Sequence, residues 1–242
     1  MRIQLQPAYL LHRRPYRDSS DLLELLTLEY GRVGAVARGL GRRRSGGALA
    51  SILQPFRPLF VSLTGKGELL SLTAAEPGGA VEGLQGDTLF SGFYLNELLL
   101  RTLLRHDPHP QIFAAYASAV GHLAEDPGRA AMARSLRRFE FALIDDLGYA
   151  VDFTHLADGS GVIDPQRSYH LVPGEGLFAT QRSGRGASTY SGKDLCALAA
   201  GEFDDIPPAV LRRLAQELLA DHVGSEPLRT PEVYRKVLAG AP

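Results

Sequence analysis

The chain has 242 residues, with 26 Lys+Arg against 27 Asp+Glu, 45% hydrophobic residues, one Cys and no Trp. This length supports one or two domains with a full core. The lone Cys196 excludes an internal disulfide framework and a thiolate zinc cluster, and no stretch approaches the roughly 18 apolar residues of a membrane span. Met1 to Leu11 lacks a signal peptide's long apolar stretch and small-residue cleavage site, so a soluble intracellular protein is expected.

The near-neutral total hides an asymmetry. Residues 1–76 hold eleven basic and six acidic side chains, an excess of +5, and the remainder carries −6. A basic first third joined to an acidic remainder points to a polyanion as partner of the first third.

In chain order, Asp21 to Tyr30 is ambiguous. Asp21-Leu-Leu-Glu24 fits a helix capping box and Leu22, Leu25, Leu26 have helical spacing, while Leu22, Glu24, Leu26, Leu28 fit a strand nearly as well. Local sequence slightly favours helix. Arg32 to Arg38 reads as a strand with Val33, Ala35 and Ala37 on one face. Leu59, Val61 and Leu63 alternate with polar or outward positions, Gly65-Lys66-Gly67 turns, and Leu70, Leu72 and Ala74 alternate in return, which predicts a hairpin.

Pro77-Gly78-Gly79 breaks this texture, and long helical periods follow. Leu89 to Arg105 carries Phe93, Leu99, Leu100, Leu103 and Leu104 on a broad apolar face, ended by Pro108 and Pro110. Ile112, Tyr116, Val120 and Leu123 predict a second helix. Pro127 opens a third, with Leu136, Phe139, Leu143 and Leu147 in one stripe and Gly148 as its stop. Residues 150–190 return to short alternations with many glycines, a small β-rich insertion. Pro207-Pro208 starts a further helix with Leu211, Leu214 and Leu218 facing inward. The expected organisation is a β domain over residues 1–79 and a helical domain over 80–242 with an insertion at about 150–190.

No catalytic constellation assembles. Gly159-Ser160-Gly161 lacks the spacing of a nucleophile elbow, and neither Gly65-Lys66-Gly67 nor Gly192-Lys193-Asp194 is a phosphate loop. His106-Asp-Pro-His109 reads as a solvated loop, because its prolines exclude the helical i, i+4 geometry of a zincin. Asp145-Asp146 reads as exposed, and Cys196 among Leu195, Ala197 and Leu198 as a structural thiol. Nothing calls for an enzyme, a metal or a cofactor.

The strongest feature is Arg38-Gly-Leu-Gly-Arg42-Arg43-Arg44-Ser-Gly-Gly47. Arginines between glycines can track phosphates, each with a forked, charge-assisted hydrogen bond. Arg13, Arg14 and Arg17, with Lys66 at a hairpin tip, enlarge the basic set. Small β-barrels bind single strands by joining such a groove to aromatic platforms. Tyr16, Tyr30 and Phe56 are the aromatics on hand, with Phe56 favoured as a core residue.

The chain resembles the RecO family of bacterial recombination mediators along most of its length. The matching stretches are Leu10-Leu-His-Arg-Arg-Pro-Tyr16, Thr27-Leu-Glu-Tyr-Gly-Arg32, Val36-Ala-Arg-Gly39, Leu53-Gln-Pro-Phe56, Gly65-Lys-Gly-Glu-Leu69 and Ala75-Glu76. Tyr94-Leu-Asn-Glu-Leu98, Leu136-Arg-Arg-Phe-Glu140 and Leu147-Gly-Tyr149 follow in order. The resemblance implies an α+β multidomain fold: an N-terminal OB-fold barrel, in which Asp21 to Leu28 becomes a strand, then a helical domain with the small insertion.

It also implies a non-enzymatic DNA repair protein of the cytoplasm and nucleoid. Such a protein binds single- and double-stranded DNA, anneals complementary strands, engages the single-strand-binding protein, and acts with RecR, and often RecF, to help RecA load. Arg13, Arg14, Arg17, Arg32, Arg38, Arg42, Arg43, Arg44 and Lys66 are the expected DNA contacts. Arg137, Arg138 and Phe139 are the expected seat of the single-strand-binding protein's acidic, Phe-ending tail. Many members carry a four-cysteine zinc site in the insertion; here the region from Phe153 to Gly161 onward has no cysteine. The competing readings are a general single-stranded DNA/RNA-binding OB-fold protein without mediator activity, and a structural adaptor.

Overall fold

The computed structural model describes residues 2–16, 20–38, 46–79, 83–180, 188–224 and 226–240, with the side chains of 46–48 and 235–240 left out. Five strands close into a barrel in the order β1-β2-β3-β5-β4: β1 (Arg2–Tyr16), β2 (Ser20–Thr27), β3 (Gly31–Arg38), β4 (Leu59–Thr64) and β5 (Leu69–Pro77). One long strand, β1, pairs β4 with its first half and β2 with its second, antiparallel in both cases, while β3 and β5 close the cylinder in parallel. Closure removes the open sheet edges that would otherwise invite aggregation. Ala8, Leu10, Leu23, Leu25, Val33, Ala35, Ala37, Val61 and Leu63 fill the interior. Helix α1 (Gly46–Ile52) adds Leu49, Ile52 and the following Leu53 to that cluster.

Asp21 to Tyr30 is thus a strand and turn, against its local helical preference. Both faces of β2 are buried: Leu23 and Leu25 point into the barrel, while Leu22 and Leu26 lie on the covered outer face. A strand hidden on both sides reads as a continuous apolar run, which periodicity alone cannot tell from a buried helix. The carboxylates that imitated a capping box serve ion pairs, Asp21 with Arg13 and Glu24 with Arg32 and Arg105.

The β4–β5 hairpin forms as its alternation predicts until Thr73. A register shift between Ser62 and Leu63 leaves Thr73 unpaired, so Ala74 lies exposed and Ala75 packs on the core instead. This is a β-bulge, which reverses the facing of every residue beyond it.

The outer face of the barrel is covered by α2 (Gly86–Thr102) and α3 (Pro110–Ala124). Tyr9 on β1 meets Phe113 and Tyr116 of α3 with ring centroids 5.4 and 5.0 Å apart. The buried face of α2 is Thr88, Ser91, Gly92, Leu95, Asn96, Leu98 and Leu99, whereas Phe93 and Leu104 are exposed. The helix stops at Thr102, ahead of the prolines expected to end it, because Arg32 takes the terminal carbonyls of Leu100 (2.6 Å) and Leu103 (3.1 Å). Gly92 gives Phe56 its place: a Cβ there would lie 2.7 Å from the Phe56 ring. Phe56 itself sits at φ 65°, in the left-handed region a side chain avoids, held by this contact and by Phe93 at 5.1 Å.

The final helix, α7 (Arg229–Gly240), returns to α2. Glu97 accepts the N–H groups of Arg229 (2.7 Å) and Thr230 (2.8 Å), capping α7 from another helix. Arg101 donates to the carbonyls of Val223, Glu226 and Pro227, and Tyr234 donates to Asp87 at 2.7 Å. Residues 1–128 and 222–242 therefore form one compact unit.

Residues 129–221 form the other. It contains α4 (Gly128–Asp146), a sheet ordered β7-β6-β8 from β6 (Ser168–Val172), β7 (Gly176–Ala179) and β8 (Thr189–Ser191), then α5 (Gly192–Ala199) and α6 (Pro208–Leu219). Leu211, Leu214 and Leu218 of α6 are buried, as their spacing predicts. On α4 the buried residues are Arg137, Phe139, Glu140, Leu143 and Ile144, so the inner stripe includes an ion pair that apolar spacing misses. Gly148 ends this helix at φ 83°, and Tyr149 donates to the carbonyl of Ile144.

Candidate nucleic-acid interface

Strand register divides the basic residues between two ends of the barrel. Tyr16 pairs with Ser20 and Ser20 with Arg38, while Arg14 pairs with Leu22 and Leu22 with Val36. Cross-strand partners share a face, so Arg14, Tyr16 and Arg38 stand together on the outer face at one end of three adjacent strands. Arg14 and Arg38 are exposed and Tyr16 is half-buried. Arg17, Arg42, Arg43 and Arg44 lie outside the described residues, in the segments that follow Tyr16 and Arg38.

Arg13 belongs to the same end but faces inward. An extra residue in β1 between Leu10 and His12 shifts the register and sets Arg13 opposite Leu23, where its Nε reaches Asp21 at 2.5 Å. Its side chain is 31% exposed. Lys66 lies elsewhere. Because β5 runs parallel to β3 with Leu69 beside Gly34, the turn carrying Lys66 is at the opposite strand end from Arg38.

Arg32 is occupied internally. Its Nε meets Glu24 at 2.9 Å while the guanidinium also holds the α2 carbonyls. Arg105 bonds the other oxygen of Glu24, and Gly34 leaves room beside it: a Cβ there would lie 2.9 Å from the Leu69 side chain and 3.3 Å from the Arg105 guanidinium. Burial alone would raise the Glu24 carboxyl, but hydrogen bonds from Arg105 and Arg32 outweigh it and hold the group below the usual range. Arg32 is thus engaged by Glu24 and the α2 carbonyls, with its side chain only 18% exposed, unlike Arg14 and Arg38.

Of the three aromatics, Phe56 is buried and Tyr30 packs against the barrel core, while Tyr16 stands half-buried on the face of the exposed arginines.

In the second unit, Arg137 and Phe139 are buried, with Arg137 Nη2 on Glu140 at 2.5 Å. Neither can take an incoming peptide at its surface. Arg138 is 52% exposed and lies 4.8 Å over the ring of Phe203, with Arg134 bonded to the adjacent Asp204 at 2.8 Å. Phe141 meets Phe203 and Phe153 edge-on at 5.6 and 6.3 Å. These rings, with Ile144, Val151, Leu198 and Leu218, line a groove of about 320 Å³, with Asp145 and Asp152 also on its wall. The apolar recess beside a guanidinium is thus formed by Phe141, Phe203 and Arg138, a set that spacing on α4 alone could not reveal because Phe203 comes from a distant turn.

A four-thiolate zinc site does not fit this insertion, which has no cysteine. The chain's one thiol, Cys196, lies beyond it on α5, half-buried with Sγ 3.8 Å from the carbonyl of Ile163. Among the described residues no group of three or more His, Cys, Asp or Glu side chains gathers to hold an ion. Carboxylates turn the loops instead: Asp152, Asp158 and Asp164 accept the N–H of Thr154 (2.7 Å), Ser160 (2.9 Å) and Gln166 (2.9 Å), each two residues on. The Thr154 hydroxyl and N–H, with a smaller share from His155, hold the Asp152 carboxyl down to about 2. Among the described residues no helix is long and apolar enough to cross a membrane.

Comparison with known proteins matches both regions. A family model described as Recombination protein O N terminal covers residues 1–80, and one described as Recombination protein O C terminal covers 84–229. The chain is 39% identical over 236 residues to the DNA repair protein RecO of Glaesserella parasuis, covering 97% of this chain and 96% of the relative. It is 40% identical to that of Methylococcus capsulatus (97% and 94% covered) and 42% identical to that of Alkalilimnicola ehrlichii (98% and 92% covered).

Proposed function

The chain belongs to the RecO family of DNA repair proteins, and from that premise we propose that it is a recombination mediator working without an enzymatic step. It binds single- and double-stranded DNA, anneals complementary strands coated with single-strand-binding protein, and acts with RecR, and with RecF where present, so that RecA can load at the nucleoid. The observation that carries the DNA-binding part is the grouping of Arg14, Tyr16 and Arg38 at the barrel end from which the Arg17 and Arg42–Arg44 segments continue. Guanidinium groups there would hold the sugar-phosphate backbone and lower the repulsion between two approaching strands, while Tyr16 offers a ring for a base. With about five phosphates contacted, log affinity for a single strand falls with log salt at a slope near −3.5.

The partner's acidic, Phe-ending tail would seat its ring in the groove of Phe141 and Phe203, with a carboxylate on Arg138. Asp145 and Asp152 line the same groove and would repel an acidic segment, so the tail's carboxylates would lie nearer Arg134 and Arg138. The deciding experiment is annealing of complementary strands coated with single-strand-binding protein, beside the same protein without its tail. Annealing that disappears with the tail supports the mediator. Naked strands that bind while coated strands never anneal would leave a general single-strand-binding barrel.

A further inference from the structure

The three-stranded sheet of the second unit has two unlike faces. Tyr169, Leu171, Leu177 and Tyr190 are buried on the inner one. On the other, His170 of β6 pairs across to Phe178 of β7 and to Thr189 of β8. The two rings lie stacked, centroids 5.7 Å apart and tilted by only 23°. Exposed Ser168, Thr180, Thr189 and Ser191 surround them. At one end of this face stand two exposed cations, Arg167 (72% exposed) and Lys193, brought together because Gly192 donates its N–H to the carbonyl of Arg167 at 2.8 Å. Asp164 pairs with Arg167 at 3.4 Å, Asp194 follows Lys193 in the first turn of α5, and Glu175 sits in the turn at the opposite end.

We propose that this face is a second single-stranded nucleic-acid site, with a base on the His170–Phe178 rings and a phosphate at Arg167 and Lys193. It goes beyond the barrel reading and rests only on the chain's handling nucleic acid. A half-buried, stacked ring pair bordered by hydroxyls, with cations at one end, matches what a single strand offers: a π-face on every base and a charge on every phosphate. A protein-docking patch would need contiguous apolar area, and here the rings have Ser and Thr around them, with Val172 as an apolar neighbour on β6. A chain that brings two strands together gains from holding each on its own surface.

The test uses the full chain and a thymidine oligonucleotide of about eight nucleotides, a length within the span of one small binding module. The oligonucleotide carries 5-iododeoxyuridine for photocrosslinking, and bound oligonucleotides per chain are counted by titration. The native chain takes two, with crosslinks to the peptides holding His170 or Phe178. Phe178→Leu, which keeps an apolar side chain against His170, weakens the second site about ten-fold. Arg167→Glu with Lys193→Glu removes that site while leaving the thermal melting point in place. Arg14→Ala with Arg38→Ala removes the other site only. A single bound oligonucleotide, lost in the barrel variant and never crosslinked to residues 168–178, would overturn the proposal. Loss confined to the sheet variants, with the barrel variant unaffected, would keep it and sink the barrel reading instead.

Discussion

The side-chain amide of Asn96 donates to the main-chain carbonyl of Leu11 at 2.9 Å, joining α2 to the barrel. Leu11 is the extra residue of a β1 bulge, outside the regular pairing with β2. The amide oxygen of Asn96 accepts the Tyr116 hydroxyl at 2.6 Å, so one buried side chain ties a strand and two helices. Burial raises the Tyr116 phenol well above its ordinary range, which keeps it a donor at any physiological pH. Asn96→Leu leaves the Leu11 carbonyl and Tyr116 hydroxyl without this partner and should cost about 2–3 kcal/mol in denaturant unfolding; Tyr116→Phe should cost about 1 kcal/mol.

Glu24 makes stability depend on acid. Its folded carboxyl titrates below the unfolded one, so its contribution is complete above the ordinary carboxylate range and is lost as pH falls through the depressed value. Glu24→Gln should lower stability at pH 7 by about 2–4 kcal/mol, since Arg32 loses its carboxylate and Arg105 keeps only the exposed Glu68, at 3.6 Å. The gap between variant and parent should narrow as pH falls below the usual carboxylate range. A gap unchanged with pH in urea titrations would remove Glu24 from the acid response.

Arg14→Ala with Arg38→Ala should weaken single-strand binding equally for oligonucleotides of different sequence, because phosphate contacts carry no base information. The salt slope should become shallower by about 1.4, two phosphates at 0.7 each. Arg32→Ala should lower the melting temperature; after correction for folding, its salt slope should match that of the parent.

Arg137 and Arg138 are adjacent and should behave oppositely. Arg138→Glu should loosen an acidic tail peptide in fluorescence anisotropy with little change in unfolding, as its guanidinium lies on the groove's rim. Arg137→Ala should destabilise by about 3 kcal/mol through the buried charge left on Glu140. Equal peptide affinity for Arg138→Glu and the parent would exclude this rim.

Strands with one wet face were legible in the sequence, as in β4, because alternation records burial on one side. β2 was not, since burial on both sides erases the period. Tyr94-Leu-Asn-Glu-Leu98 could be matched as a block, yet the work of Asn96 and Glu97 lies in partners 85 and over 130 residues away, which no local pattern encodes. The arginines divide in the same way. Composition marked all of them as cations; only the partners supplied by folding separate Arg32 and Arg137, spent on internal carboxylates, from Arg14, Arg38 and Arg138 at the surface.

The return of residues 222–242 to α2 has a consequence for synthesis on the ribosome. The second unit is encoded between the two parts of the first, so its residues are complete before the cap that Glu97 provides has a helix to receive. The emerging chain therefore carries an unfinished α2 face, with Phe90 and Arg101 lacking Tyr234 and the Val223, Glu226 and Pro227 carbonyls, until that later segment has been made. A chain cut after Asp221 stays in that unfinished state. Cellular proteolysis should then remove it in proportion to how often the α2 face opens.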